Sequence, residues 1–268
     1  MKRVLTIGGS DPLAGGGIQS DLKTFENFKI FGLSALTCIG AFDSKGEFVL
    51  DAVSPELLER QLATIDRMTS LDGIKIGLLH TEEAILIVRD FLKNKPKIPV
   101  VLDPVFAFKE TGAVANQTYM DHLVFELFPL AEVVTPNLRE ASLLTGTSSL
   151  STLADMLDTA HKIKDSGAKN VVIKGGTGIQ GTSAIDLLLT DQSYETFQRE
   201  KLDTMTVNGA GCTFSSAITA QLVLGNDLFD AVSNSKSYVY HCIFNGVSMK
   251  DQTGSVWSGG YWKGEETK

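Results

Sequence analysis

Two stretches of this chain combine glycines with groups that manage charge. The first is Gly8-Gly9-Ser10-Asp11, followed by Gly15-Gly16-Gly17-Ile18-Gln19-Ser20-Asp21-Leu22-Lys23. Absent side chains there let backbone amides or a ligand ring approach closely. The second is Val207-Asn208-Gly209-Ala210-Gly211-Cys212-Thr213-Phe214-Ser215, which runs into an apolar helical segment. Small residues at a helix start leave N–H groups pointing at one spot, and the helix dipole adds positive potential. A phosphoryl group in transfer spreads negative charge over its oxygens, so this segment has the makings of an anion hole. The plainer reading is a glycine turn that serves helix packing. A nicotinamide dinucleotide loop fits poorly, because the G-x-G-x-x-G spacing is missing and Pro12 interrupts the turn.

Two further segments carry charge near strand ends. In Thr135-Pro136-Asn137-Leu138-Arg139-Glu140, Asn137 caps a helix and Glu140 stands at its third position, which is nearly a capping box and needs no ligand. The competing reading gives Asn137 to phosphate and Glu140 to a hydrated Mg2+, an ion that keeps its waters and needs one or two carboxylates. In Val171-Val172-Ile173-Lys174-Gly175-Gly176-Thr177-Gly178, a lysine ends an apolar strand. It would be costly in a core but useful against phosphate.

The elements that hold these residues follow from periodicity. Apolar, β-branched runs at Val4–Gly8, Ala35–Ala41, Ile74–Leu78, Val100–Asp103, Val133–Thr135, Val171–Lys174 and Ile185–Leu189 read as strands buried on both faces. Between them Gly17–Phe28, Pro55–Met68, Glu82–Leu92, Leu138–Leu144, Leu153–Asp165 and Thr213–Leu224 show helical spacing. The alternation predicts an α/β fold with a central, mostly parallel sheet and helices on both faces. Ligands of such sheets gather outside the carboxyl ends of the strands, where the special residues stand. Residues 1–268 show no linker or internal repeat, so one domain is expected. The polar segment from Phe108 to Tyr119 reads either as a cover over a site or as a surface loop. The stretch from Gly254 onward shows no periodicity and suggests no role.

Composition narrows the classes. A net charge of -8 with a sequence pI of 5.1 argues against a general nucleic-acid or membrane-surface binder, since those partners favour a basic face. No apolar run approaches the roughly 18 residues of a membrane span, and the N-terminal run is too short for a signal peptide. Cys38, Cys212 and Cys242 are an odd set without paired spacing, which suggests neither a disulfide framework nor a structural zinc site. A cytoplasmic protein is expected.

Taken together and in order, GGSD with GGGIQSDLKTF, DPV at Asp103–Val105, TPNLREA, VIKGG and NGAGCTFSSA resemble the ribokinase-like superfamily. The closer resemblance is to its branch of hydroxymethylpyrimidine (phosphate) kinases and bacterial pyridoxal kinases, from about Arg3 to Val247. The resemblance implies a ribokinase-like α/β fold, ATP and Mg2+, a small vitamin acceptor, and a homodimer. It places ATP near Lys174, Gly175, Gly176, Thr177, Gly178, Asp186, Thr206 and Lys236, with Asn137 and Glu140 at phosphate and metal. It makes Gly209, Ala210 and Gly211 the anion hole, with Ser10, Asp11, Gly17, Phe42 and Asp103 beside the acceptor. Asp186 could instead simply end a strand turn, and Lys236 could be a solvated helix residue.

Cys212 stands where most sugar kinases of the superfamily have aspartate as general base. A helix N-terminus lowers a thiol pKa, which predicts a thiolate base; a thiolate can also capture an aldehyde, and a small buried residue is the bland alternative. Phe42 replaces the glutamine that suits an aminopyrimidine, and an apolar ring suits a pyridine. The expected reaction is therefore phosphorylation of the hydroxymethyl group of pyridoxal. Hydroxymethylpyrimidine is the alternative acceptor, and a binding protein without turnover is a third reading. That last reading is suggested by the missing aspartate, by Asn208 where many relatives have histidine, and by Phe108 where some pyridoxal kinases carry a lid cysteine.

Overall fold

The computed structural model describes residues 1–95, 97–106, 116–250 and 253–263. Phe108 and the 108–115 part of the segment read above as a cover or surface loop lie outside the described residues.

The chain alternates strands and helices in the order β1 (Arg3–Ser10), α1 (Gly17–Asn27), β2 (Phe31–Phe42), β3 (Phe48–Ala52), α2 (Pro55–Met68), β4 (Gly73–Ile76), α3 (Glu82–Lys93), β5 (Val100–Leu102), α4 (Gln117–Leu127), β6 (Val133–Val134), α5 (Leu138–Thr145), α6 (Leu153–Asp165), β7 (Val171–Lys174), β8 (Ser183–Leu189), β9 (Tyr194–Glu200), α7 (Ala210–Val223) and α8 (Leu228–Phe244). Two short strands, β10 (Val247–Ser248) and β11 (Gly254–Ser255), and a helical turn α9 (Gly260–Lys263) follow. The large sheet has the order β3-β2-β1-β4-β5-β6-β7-β8-β9. From β2 to β7 the neighbours are parallel, while β3, β8 and β9 join antiparallel. The sheet is thus the mostly parallel one that the alternation predicts.

Period-2 alternation along the central strands separates two apolar layers. Leu5, Ile7, Ile74, Ile76, Leu102, Val171 and Ile173 face one side with Leu58, Ile85, Leu123 and Ile163 of α2, α3, α4 and α6. Val101, Val133, Val172 and Leu188 face the other with Phe214 and Ile218 of α7 and Val232 and Val239 of α8. Val4 meets Phe25 of α1 and Val223 of α7 on that second side. Lys75 alternates onto the α1/α7 side as well and is 1% exposed.

Several elements exceed what the periodicity predicted. β2 starts at Phe31 rather than Ala35, because its first residues pair with Arg3 to Leu5 of β1 despite their partial exposure. β3 and β9 are largely exposed outer strands, β3 too short to stand out and β9 mostly polar, so neither shows the longer apolar run of the centre. The segment expected as loop up to Tyr119 turns helical at Gln117, where the Asn116 side chain caps α4. α7 begins at Ala210, three residues before the apolar periodicity starts, because the small residues of its first turn carry no hydrophobic signal.

Gly175, where β7 ends, shows how tightly the sheet is built here. A Cβ at this position would lie 2.0 Å from the Ile185 carbonyl oxygen on β8, a backbone atom that cannot swing aside. Gly175→Ala is expected to lower stability by about 2 kcal/mol or more, read as a reduced urea midpoint at unchanged m-value. An unshifted midpoint would show that the β7–β8 edge opens more easily than this packing implies.

Candidate active site

At the head of α7, Gly209 is the N-cap in the left-handed conformation, with φ of 81°. The first intrahelical bond runs from Thr213 N–H to the Gly209 carbonyl at 2.9 Å, and Ala210 N–H donates to the Val207 carbonyl at 3.2 Å. The Ala210 amide expected in the anion hole is therefore engaged already. The helix itself supplies no acceptor for the amides of Gly211 and Cys212, and these are the donors its N-terminus offers.

The first glycine loop packs directly on this helix start. A Cβ on Gly209 would stand 1.5 Å from the Gly15 carbonyl oxygen, so only glycine allows the two backbones to meet. The Cβ direction of Gly16 ends 3.9 Å from Cys212 Sγ. Asp11, expected against the acceptor, organises the loop: its carboxylate accepts from Leu13 N–H at 2.9 Å, Gly15 N–H at 3.1 Å and Gly16 N–H at 2.9 Å. Gln19 accepts from Asp11 N–H at 3.0 Å and donates to Ser10 Oγ at 2.7 Å. Gly17 begins α1 with φ of 59°, and a Cβ there would lie 2.4 Å from the Gly9 carbonyl. A bulge in the β1–β2 pairing between Gly8 and Ser10 turns this strand end, a common device beside active sites.

Lys174, at the end of β7, reaches across to the same spot. Its Nζ lies 2.5 Å from Asp103 Oδ1 and 3.3 Å from where a Cβ on Gly211 would be. Asp103 is buried and its other oxygen accepts from Ser215 Oγ at 3.1 Å. Burial opposes the lysine charge, but Asp103 and then Glu140 outweigh it and hold the ammonium above the ordinary lysine range. A cation, open helix amides and a carboxylate thus converge at the α7 head.

Asn137 and Glu140 form the full capping box: Glu140 N–H donates to Asn137 Oδ1 at 2.9 Å, and Asn137 N–H donates to Glu140 Oε2 at 2.8 Å. The local reading of this pair is correct as far as it goes. Glu140 is also 2% exposed and acts on Lys174, so the carboxylate borders the cationic end of the site. Among the described residues no cluster of three or more His, Cys, Asp or Glu side chains is arranged to hold a metal.

Asp186 and Lys236 pair with each other at 2.7 Å, and Asp186 also accepts from Gly175 N–H at 2.9 Å. Lys236 is therefore no freely solvated helix residue, and Asp186 does hold the strand turn. Gly176, Thr177 and Gly178 are exposed beyond it. Thr206 is buried and donates to the Ile243 carbonyl at 2.7 Å, bracing the C-terminal end of α8. Phe42 is 58% exposed on the β2–β3 hairpin, its ring edge-on to Phe48 at 5.5 Å.

Cys212 departs from expectation in its ionisation. The residue as a whole is half-buried, but its sulfur lies deep among backbone and charged groups. Burial foremost, with Asp21 and Asp103, raises the thiol, Lys75 and the Gly17 N–H lower it, and together they leave it pushed up to about 11. The helix N-terminus alone does not make a thiolate here, because desolvation and two carboxylates win.

Sequence reasoning missed two contributors. Lys75, a lone cation in the run Gly73-Ile74-Lys75-Ile76-Gly77, lies on the α7 side of β4; its signal was a charge inside an apolar strand. Ser255, in the stretch assigned no role, abuts Gly15: a Cβ on Gly15 would meet Ser255 Oγ and the Asn208 Nδ2 amide. β11 also braces Asn208, whose N–H donates to the Gly254 carbonyl at 3.1 Å and whose carbonyl accepts from Val256 N–H at 3.0 Å.

Comparison with known proteins adds the family. The phosphomethylpyrimidine kinase family profile matches residues 11–257. The chain belongs to this family. It is 37% identical over 256 residues to a pyridoxine kinase of Bacillus subtilis, covering 95% of this chain and 94% of that one. It is 37% identical over 252 residues to a hydroxymethylpyrimidine/phosphomethylpyrimidine kinase of Haemophilus influenzae, covering 93% of each. The solved pyridoxal kinase from Staphylococcus aureus in complex with AMP-PCP and pyridoxal superposes with a TM-score of 0.90 at 36% identity, covering 97% of this chain and 94% of that one. The fold is accordingly the ribokinase-like one, and phosphotransfer to an alcohol is the activity class that membership carries.

Gly211 is the position where charge at the α7 head can be inverted with little steric cost, since a Cβ meets only the flexible tip of Lys174. Gly211→Asp is expected to keep the melting temperature within a few degrees and to lower kcat by about a hundredfold or more, because the new carboxylate pairs with Lys174 and repels phosphate. Near wild-type turnover in the folded variant would show that this helix start does not face the transferred group.

Proposed function

We propose that this protein transfers the γ-phosphoryl group of ATP to the hydroxymethyl group of pyridoxal, with pyridoxine and pyridoxamine as further acceptors, in vitamin B6 salvage. The observation that carries the reading is the convergence of Lys174 and the open Gly211 and Cys212 amides on one spot at the α7 head. Preorganised donors of this kind stabilise the charge that develops on a phosphoryl group in flight. The likeness to the pyridoxal-bound kinase supports the acceptor, as does Phe42, an apolar ring on the hairpin beside the strand ends. The equally identical Haemophilus influenzae relative favours hydroxymethylpyrimidine as the second reading.

In this proposal ATP lies along Gly175, Gly176, Thr177 and Gly178, with the Asp186–Lys236 pair holding the turn beneath it. Lys174 exchanges its Asp103 contact for phosphate oxygen, and Asp103 is released toward the acceptor. Glu140 fits a Mg2+ held through water: it supplies one buried carboxylate, and the nucleotide and solvent would supply the remaining oxygens. Such an ion, when bound, neutralises phosphate charge. Ser10 and Gly17 border the acceptor, and Cys212, in the thiolate form that is the minor one in the ligand-free site, accepts the hydroxymethyl proton or captures the aldehyde.

The acceptor is tested by measuring ADP formation with pyridoxal, pyridoxine and hydroxymethylpyrimidine side by side. Pyridoxal is expected to have the highest kcat/KM; a preference for the pyrimidine overturns the reading, and binding without turnover of any acceptor points to a protein that has lost catalysis. Within the same panel, Cys212→Ala slows all acceptors by about a hundredfold or more if the thiol is the base. It slows pyridoxal alone if the thiol anchors the aldehyde. Cys212→Asp then retains more pyridoxine activity than Cys212→Ala, because a carboxylate accepts a proton without forming the adduct.

Glu140→Gln leaves the capping geometry intact, since an amide oxygen still accepts from Asn137 N–H. It is expected to raise the Mg2+ concentration needed for half-maximal rate severalfold with little change in melting temperature. A change in melting temperature alone would leave Glu140 with its capping role only.

A further inference from the structure

The proposed nucleotide lies along the loop that joins β7 to β8, and this loop is held at one buried point. Residues 176–178 and 180–182 are exposed, while Ile179 between them is 4% exposed and belongs to the apolar layer of α2, α3, α4 and α6. Gly176 and Gly181, on either side of it, take positive φ of 51° and 106°, which lets the chain dip inward and emerge again over a short distance. A peptide drawn inward with its side chain needs a partner for its carbonyl. The Ile179 carbonyl accepts from Lys201 Nζ at 2.6 Å. Gln180 N–H donates to the Ser151 carbonyl at 3.3 Å, and Lys201 N–H donates to the Thr182 carbonyl at 2.9 Å. Lys201 therefore grips the loop twice.

The backbone half of that grip continues the β8–β9 ladder, in which Ser183 faces Glu200. The side-chain half has no such origin. Lys201 is partly buried, and among the described residues no carboxylate lies within ion-pair distance of it. Lys174 and Lys236, at the same end of the sheet, each face a carboxylate, Asp103 and Asp186 respectively. Lys201 instead bonds a neutral carbonyl, which makes a charge-assisted bond without cancelling the charge. In a chain of net charge -8, a cation left uncancelled beside exposed glycine amides suits an anion. The loop it grips is the one read as receiving the nucleotide.

We propose that Lys201 is a positioning residue for the nucleotide: its bond to the Ile179 carbonyl holds the β7–β8 loop in the shape that receives ATP. The proposal rests on the reading that lays ATP along Gly175 to Gly178. Lys201 needs no contact with the ligand for this role. Without its grip, each binding event has to order the loop as well as dock the nucleotide.

The test is the affinity for AMP-PCP by isothermal titration calorimetry with no acceptor present, read beside hydrogen–deuterium exchange of residues 176–182. Lys201→Met is expected to weaken binding about tenfold, because binding must then order the freed loop, and to quicken exchange at Gln180. Lys201→Arg keeps a charged donor and is expected to recover most of the affinity. A structural staple alone predicts a lower melting temperature in Lys201→Met with AMP-PCP affinity unchanged, and that outcome overturns the proposal. Weaker binding with unchanged exchange also overturns it, because the lysine would then act by its charge and not by holding the loop. The wild-type protein separates this proposal from the reading beneath it. If AMP-PCP slows exchange at 176–182 and Lys201→Met binds it as tightly, the proposal alone falls. If AMP-PCP binds and leaves exchange there unchanged, or does not bind, the placement of ATP falls and takes the proposal with it. Should Lys201→Met not fold, Lys201→Ala is read in the same way.

Discussion

The contact between the Lys75 ammonium and the Asp21 carboxylate, 3.0 Å long and shut away from water, is the constraint around which the site is arranged. Neither charge could remain in an apolar layer without the other. Asp21 therefore fixes the roll of α1, and its bond to Ser216 fixes α7 against α1. Helix α7 thus cannot slide along α1 without breaking the buried hydrogen bond from Ser216 to Asp21. The first glycine loop, which leads into α1, is held to the same frame.

A second constraint is steric. The carbonyl of Gly15 occupies space that any side chain at 209 would need, so two loops distant in sequence close on one another through backbone alone. Their meeting forms the floor of the site, and Asp11 keeps the first loop in shape by taking up its amides. Lys174 arrives from the other side of the sheet centre on the end of β7. The chemistry is thereby divided: the sheet supplies the cations, the helix start supplies the dipoles, and glycine supplies the room.

Much of this was legible in the sequence, for identifiable reasons. Central strands such as Val171–Lys174 announce themselves because burial on both faces demands apolar continuity, and the capping box is visible because Asn137 and Glu140 stand three apart. The outer strands β3 and β9 were silent, since most of their residues face solvent. The head of α7 was placed too late because glycine and alanine carry no periodic signal. Pairings were the least readable. Nothing in their spacing says that Asp186 meets Lys236, that Asp103 meets Lys174, or that the thiol expected to ionise easily sits beside two carboxylates. Those facts depend on which strand ends lie side by side, and the strand order is a property of the whole sheet.

The placement of β11 has a consequence for synthesis. Ser255 closes against Gly15, and the backbone on either side of it clamps Asn208, so the site draws together residues from the first loop and from a strand more than two hundred positions later. A ribosome-bound chain that has not yet released residue 255 holds its glycine loops without the element that seats them. Such a chain lacks the contacts that Ser255 and the backbone beside it give to Gly15 and Asn208.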